Sequence, residues 1–344
     1  MSDDCMLAWR CHAYGDYHDL VLEPVPCRAP GAGEVRVGVR AFAPGFPDML
    51  MVQGGYQLRP PLPFTPCAEF AGEVLACGAG VTRFAPGTRV MGSVRFGAAA
   101  ECVTAQAAHC FALPPAWDWA RGAAYLVAYR TAWVGLVVRG HLVAGETVLV
   151  HGAGGGVGLA AVDLARARGA TVIAMARGAE KLAAARAQGA SHVIDYADGA
   201  FREQVKALTG GRGVDVVYDP VGGDVFDESL RCVAPFARVL VIGFASGRIP
   251  EVRVNHVLIK QYSVIGVRAG EHGRIDPVAG AAVDRALEAL AADGAVSPHV
   301  CRRLPFERLV EAYDDIAARR VIGRVVVETA GADRDRAEAV PESC

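Results

Sequence analysis

The run His151-Gly152-Ala153-Gly154-Gly155-Gly156-Val157-Gly158 stands between an apolar stretch, Glu146-Thr147-Val148-Leu149-Val150, and a helix-forming one, Leu159-Ala160-Ala161-Val162-Asp163-Leu164-Ala165. A strand that feeds a glycine turn and then opens a helix is suited to hold a nucleotide pyrophosphate. The turn must fold tightly and let backbone approach the phosphates, while free N–H groups and the positive end of the helix dipole face the negative charge. A Cβ would block either requirement, so glycine serves both. In register the motif reads Ala153-x-Gly155-x-x-Gly158, a variant of G-x-G-x-x-G that begins on alanine. Ala153, Gly155, Gly156, Val157 and Gly158 are therefore candidate phosphate contacts. A glycine cluster can also make a plain turn, so the motif gains its weight from the strand and helix around it.

About 20 residues beyond such a turn, an NAD-specific site places Asp or Glu on the ribose 2′-hydroxyl. Here the residues are Ala174-Met175-Ala176-Arg177, without an acid, and Lys181 follows. Arg177 and Lys181 offer positive charge where a 2′-phosphate would lie, which points to NADPH. An exposed arginine and a lysine at a helix start are the plainer alternative.

These residues need a framework to position them. From Thr131 onward the chain alternates: strand 148–150, helix 159–168, strand 171–176, helix 180–188, strand 192–195, helix 200–208, strand 214–218, helix 224–233, then strands 238–242 and 262–267. Such alternation specifies an α/β fold with a doubly wound parallel sheet. Residues up to about 125 instead carry short β-type runs at 34–39, 73–76, 89–92 and 100–103, separated by Gly/Pro turns such as Ala85-Pro86-Gly87. That pattern describes a compact, mostly β, barrel-like unit. A helix at 277–293 and the run Gly323-Arg324-Val325-Val326-Val327 suggest that the chain returns to the first domain at its end. The expected division is 1–125 and 269–330 for the mostly β domain, 126–268 for the nucleotide domain, and a disordered tail at 331–344, which is charged and aperiodic.

With 344 residues, 52% hydrophobic and 21% charged, the composition is that of a globular protein of roughly two domains. A formal net charge of −2 gives no field to draw nucleic acid or an anionic membrane. No apolar stretch approaches a membrane span, and the acidic start Met1-Ser2-Asp3-Asp4 differs from a signal peptide, so a cytoplasmic location is expected. The ten cysteines form no C-x-x-C pair and read as reduced, small hydrophobes.

The chain resembles the medium-chain dehydrogenase/reductase superfamily, and within it the zinc-free NADPH:quinone oxidoreductases related to zeta-crystallin. The resemblance covers roughly Gly31 to Val327. It rests on Phe46-Pro47-Asp48-Met49-Leu50-Met51-Val52-Gln53-Gly54-Gly55-Tyr56, Pro60-Pro61-Leu62-Pro63-Phe64-Thr65-Pro66, Glu69-Phe70-Ala71-Gly72, the glycine motif, Asp219-Pro220-Val221-Gly222-Gly223, and Gly323-Arg324-Val325. It implies a GroES-like catalytic domain, a Rossmann domain inserted in it, and an active cleft between the two. It also implies that Lys181, Tyr196 and Arg319 hold the 2′-phosphate, and that Thr131 and Gly243-Phe244-Ala245 run along the nicotinamide half. For Arg319 a solvated helix end is the alternative.

Zinc divides the superfamily. Where the alcohol-dehydrogenase branch has Gly-His-Glu, this chain has Cys67-Ala68-Glu69, and the ligating cysteine of the preceding loop is missing around Pro44-Gly45. Between Val90 and Val103 there is no room for a four-cysteine lobe. No metal site is expected. Alcohol oxidation relies on a metal to stabilise the alkoxide, whereas a quinone or α,β-unsaturated carbonyl spreads the incoming charge onto its own oxygen. The expected reaction is hydride transfer from NADPH to such an acceptor. Tyr56 is the candidate proton donor by likeness to the enoyl-thioester reductase branch, or else a residue that lines the pocket or packs on its loop. Gly45 stands where quinone reductases carry asparagine, and Leu50 where some relatives carry tyrosine, which makes the pocket more apolar. The alternatives are an enoyl-thioester or enone reductase that uses Tyr56, and an NADPH-binding protein without turnover. The resemblance further implies a homodimer through the edge strand Tyr262-Ser263-Val264-Ile265-Gly266-Val267.

Overall fold

The computed structural model describes residues 5–197 and 201–330. The tail expected to be disordered, 331–344, lies outside the described residues, as does the expected helix start at Ala200. The described residues pack into two compact units, one within Met1–Val127 and Pro298–Cys344, the other within Ala128–Ser297.

In the first unit, β1 (Cys5–Arg10) and β2 (Val21–Pro26) pair antiparallel. The main sheet then takes β3 (Glu34–Phe42), β4 (Glu69–Cys77), β5 (Arg89–Ser93), β6 (Cys102–Gln106) and β7 (Cys110–Ala112). Helix α1 (Phe46–Val52) lies between β3 and β4 in sequence, and α2 (Trp119–Ala123) follows β7. Strand β3 shows the period-two logic: Val35, Val37, Val39 and Ala41 are buried, whereas Glu34, Arg36 and Arg40 are only partly covered.

Helix α3 (Leu126–Trp133) carries the chain into the second unit. There β8 (Thr147–Val150), α4 (Gly156–Ala167), β9 (Thr171–Ala176), α5 (Ala179–Ala187), β10 (His192–Asp195), α6 (Arg202–Leu208), β11 (Val214–Asp219), α7 (Gly223–Ser229), β12 (Val233–Val241), α8 (Val254–Lys260) and β13 (Ser263–Gly266) alternate. The six strands are parallel and lie in the order β10-β9-β8-β11-β12-β13. This is the Rossmann order, with the first three strands laid to one side and the last three to the other. Strand β12 starts at Val233, earlier than the expected 238. Its pairing with β11 jumps from Val214↔Val233 to Val216↔Arg238, because Pro235 has no N–H for the ladder and Phe236 sits at φ +63°.

Helices α9 (Ala269–Ile275) and α10 (Pro277–Ala292) follow, and then β14 (Val300–Pro305), α11 (Leu309–Ala317) and β15 (Arg324–Glu328) complete the first unit. Strand β15 pairs antiparallel with β3, giving the order β14-β15-β3-β4-β5-β7 with β6 also on β3. The return to the first unit therefore comes at Pro298 and not at 269. Residues 269–297 stay with the second unit through side-chain bonds: Arg130 donates to Asp284 (2.8 Å), and Ser297 N–H donates to Asp163 (2.8 Å). Periodicity shows that α10 is a helix but not which sheet it joins. Among the described residues no helix is long and apolar enough to cross a membrane.

Candidate dinucleotide-binding site

Strands β8 and β11 are neighbours, with Val148, Leu149 and Val150 opposite Val216, Val217 and Tyr218. The sheet grows in opposite directions from this pair, so the crossovers leave on opposite faces and open a crevice at the strands' C-terminal ends. The chain turns there. His151 N–H donates to the Tyr218 carbonyl (3.0 Å) and Ala153 N–H to the Met175 carbonyl (2.9 Å), which ties the turn to both neighbouring strands. Gly155 precedes α4 in extended conformation and brings no side chain to cap the helix, so its N-terminal end suits an external anion.

Two close approaches explain why glycine is required. A Cβ on Gly158 would lie 2.2 Å from the Gly152 carbonyl oxygen, so the third glycine lets helix and turn touch. A Cβ on Gly154 would lie 2.6 Å from Lys181 Cβ and 2.7 Å from its Cγ, so the Lys181 stem crosses the turn. The sequence names Lys181 for its charge. The structure adds that α5 carries its aliphatic part across Gly154.

Beyond β9 and β10, Arg177 and Tyr196 are the next pair after the register Ala176↔Asp195. The guanidinium stands over the phenol ring at 5.0 Å from its centroid, a cation–π contact that restrains an otherwise exposed arginine. Asp195, not singled out from the sequence, accepts N–H bonds from Gly178 (3.1 Å) and Ala197 (2.9 Å). The bond two residues onward is an Asx turn, a signal that Asp195-Tyr196-Ala197 does carry. This carboxylate thus braces the turn that presents Arg177.

On the other side, buried Asp219 accepts from the N–H groups of Val221 (2.8 Å) and Gly222 (3.0 Å). The loop after β12 is laced to it: Ala245 N–H donates to Pro220 (3.1 Å) and Ser246 N–H to Val221 (2.9 Å). Gly152 faces Val221, where a Cβ would come within 3.2 Å of Cγ2. Gly243, Phe244 and Ala245 therefore continue the row of turns that begins at the glycine motif. Thr131 is half-buried on α3, one turn before Gly135, whose Cα faces Tyr218 and Ile242. Behind the row, His151 Nε2 donates to Ser229 Oγ (2.6 Å), because the Ser229 hydroxyl itself donates to the Val225 carbonyl (2.7 Å). Burial holds the His151 pKa below its ordinary value, so the ring is a neutral brace.

Tyr56 and Arg319 belong to the first unit, apart from the other site residues in the chain's division. Tyr56 is half-buried and packs against the core of that unit. Arg319 is exposed just past α11, at φ +56°, with its N–H donating to the Ile316 carbonyl (3.0 Å). The same unit holds a buried polar cluster that sequence reasoning did not assemble. Arg324 pairs with Glu69 and donates to the Ala43 carbonyl (3.0 Å), and Glu69 also accepts from Val127 N–H (2.9 Å). Asp48 accepts from Gly45 N–H (2.8 Å). Burial pushes its pKa up to about 7, opposed by Arg324 and the Gly45 N–H and assisted by Glu69. Cys67 Sγ lies 3.5 Å from the Tyr313 hydroxyl, and burial raises this thiol well above its usual range. Among the described residues no three His, Cys, Asp or Glu side chains converge in a way that would hold a metal ion.

Comparison with known proteins gives two matching families. Residues 31–140 match the alcohol dehydrogenase GroES-like domain, and residues 156–278 match the zinc-binding dehydrogenase family. A quinone oxidoreductase-like protein 2 homolog of Nematostella vectensis is 38% identical, over 87% of this chain and 82% of that relative. A mycobacterial protein solved in complex with NADPH superimposes with a TM-score of 0.86 at 31% identity, covering 94% of this chain and 100% of the other. A solved NAD-dependent alcohol dehydrogenase superimposes with a TM-score of 0.83 at 29% identity, over 94% of this chain and 99% of that one.

Proposed function

Since the chain belongs to the quinone oxidoreductase-like family of the medium-chain dehydrogenase/reductase superfamily, we propose that this oxidoreductase is a zinc-independent, NADPH-dependent reductase of quinones or similar conjugated carbonyls. One observation carries the reading: Arg177 stacked on Tyr196, and Lys181 drawn across Gly154, stand beside an uncapped helix start with the nearby Asp195 committed to backbone N–H groups. Likeness alone does not choose the cofactor, because neighbours of similar fold include both an NADPH complex and an NAD-dependent enzyme. Two cations and a phenol suit a 2′-phosphate, whereas an NAD-type site calls for an acid free to bond the ribose.

NADPH supplies the hydride when bound. The chain's own part would be to hold the pyrophosphate on the α4 N–H groups, fix the ribose phosphate with Arg177, Lys181 and Tyr196, and line the nicotinamide half with Thr131 and Gly243–Ala245. The donor set does not fit zinc. Ala68 offers no ligand, the buried Cys67 thiol is engaged with the Tyr313 hydroxyl, and Glu69 is engaged by Arg324 and a backbone N–H. An acceptor that delocalises charge onto its own oxygen is the substrate class compatible with such a site. Half-exposed Tyr56 supports a second reading, reduction of an enone or enoyl thioester with the phenol as proton donor. Strand β13 ends the Rossmann sheet with Val264 40% exposed, and nearby Val254 and Leu258 are 80% and 77% exposed. A second copy pairing along this edge would cover them.

The test is NADPH and NADH oxidation, followed by nicotinamide absorbance, across quinone, enone and enoyl-CoA panels with and without a chelator. Quinone turnover that prefers NADPH and survives chelation is expected. Turnover confined to enoyl thioesters transfers the assignment to the second reading. NADPH binding without turnover makes the chain a binding protein, and loss of activity on chelation overturns zinc independence. Light scattering checks the dimer, and a monomer refutes the edge pairing.

A further inference from the structure

The segment that joins β2 to β3 lies against β6, where Thr104 Oγ1 donates to the Arg28 carbonyl (3.2 Å). In the β3–β6 ladder Arg36 is opposite Thr104 and Gly38 is opposite Cys102. Side chains two apart on a strand share a face, so Arg36, Thr104 and Cys102 stand together. On that face Cys27 meets Cys102. The two thiols are near enough for Cys27 to raise the Cys102 pKa, and Arg36 Nη1 lies 3.9 Å from Cys27 Sγ. Both cysteines are partly exposed, in contrast to Cys11, Cys67, Cys110 and Cys232, which are buried and act as small hydrophobes.

We propose that Cys27 and Cys102 form a reversible thiol–disulfide site, closed by a low-molecular-weight disulfide of the glutathione type. Contact between two sulfurs, access from solvent and a guanidinium beside one of them are the three features that such a site needs. The order of events follows from the surroundings. Burial and the neighbouring Cys27 push the Cys102 thiol up to about 11, so Cys27, which has the Arg36 guanidinium beside its sulfur, is the first to attack. The Cys27 thiolate attacks one sulfur of oxidised glutathione, whose S–S bond breaks. One glutathione thiolate leaves and takes a proton from solvent. With Cys27 capped, its charge no longer opposes ionisation of Cys102. Cys102 gives its proton to solvent and attacks the Cys27 sulfur, and the second glutathione leaves. Two protein thiols are oxidised and one glutathione disulfide is reduced to two thiols, so no other oxidant is required. The new bond would fasten the β2–β3 connection to β6.

The test incubates the full chain with oxidised glutathione, quenches with an alkylating agent and maps peptides without reduction. A Cys27–Cys102 linked peptide that dithiothreitol removes is expected. In Cys102→Ser the second step is blocked, so a glutathione adduct should accumulate on Cys27 that the wild-type chain does not retain. Exposed Cys5, whose strand partner is Pro26, serves as the internal control. The proposal fails if Cys5 takes up glutathione while Cys27 and Cys102 remain alkylated. It also fails if Cys27 links to Cys5, or if the wild-type chain keeps the Cys27 adduct as fully as the variant does.

Discussion

Replacing Asp48 by asparagine tests how the buried cluster of the first unit shares its charge. One guanidinium, Arg324, stands among two carboxyl groups, and Glu69 takes the direct bond. Asp48 is left with the Gly45 N–H and a more distant attraction, and it keeps its proton to about pH 7 against an ordinary value of 3.8. The folded state therefore binds this proton more tightly than the unfolded state does. The resulting stability is fully present below about pH 4, declines as pH rises, and is gone above about pH 7, with a total span of ~4 kcal/mol. Between about pH 6 and about pH 8.5 the loss is ~1.4 kcal/mol. Asparagine keeps an acceptor for Gly45 and never ionises, so Asp48→Asn should remove that loss.

Calorimetric melting at the two pH values measures the effect. For a unit of this size, ~1.4 kcal/mol corresponds to about 3–6 °C. The melting midpoint of the wild-type first unit should therefore fall by that much more than the variant's as pH is raised, because all other titrating groups are common to both. Equal pH dependence in the two proteins would falsify the shared-cation argument, as would a carboxyl carbon NMR titration placing Asp48 near pH 4.

Three further outcomes are expected. Arg177→Ala and Lys181→Ala should each lower kcat/KM for NADPH by roughly tenfold, the loss of one charge-assisted bond, while leaving NADH unaffected; equal losses with both cofactors would show that neither residue reads the phosphate. Gly158→Ala drives a methyl toward the Gly152 carbonyl, so it should cost about 1–3 kcal/mol in unfolding experiments and abolish dinucleotide binding by calorimetry, and normal binding would disprove the tight-turn requirement. Arg324→Met leaves Glu69 buried without its cation and should cost about 3–5 kcal/mol, with Glu69→Gln added on top restoring part of it; strictly additive losses in the double variant would mean that the two groups do not act as a pair.

What the sequence makes legible is whatever a local backbone rule forces into a residue type. The glycine motif is readable because Gly158 meets the Gly152 carbonyl only six positions away. Strand β10 is found at its expected bounds because apolar residues and flanking turns mark it. The doubly wound parallel sheet follows from alternation and crossover handedness together, whereas its strand order does not, because more than one order obeys both rules. Boundaries shift where a rule is broken locally, as at Pro235 and Phe236 in β12.

The groups whose chemistry depends on neighbours distant in the chain are different in kind. Glu69 and Arg324 are 255 positions apart, and Arg324 reaches Ala43 across 281. Nothing in either neighbourhood says that one guanidinium will be divided between two carboxyls, because that depends on β15 returning to pair with β3 after a whole inserted unit. The same holds for Cys27 and Cys102. Alternation shows which face of β6 carries Cys102, but the partner that covers that face is set by the path of the β2–β3 connection. Residue type declares what a side chain can do, whereas register and return path decide what it meets, and here the proton on Asp48 and the pairing of two thiols both belong to the second kind.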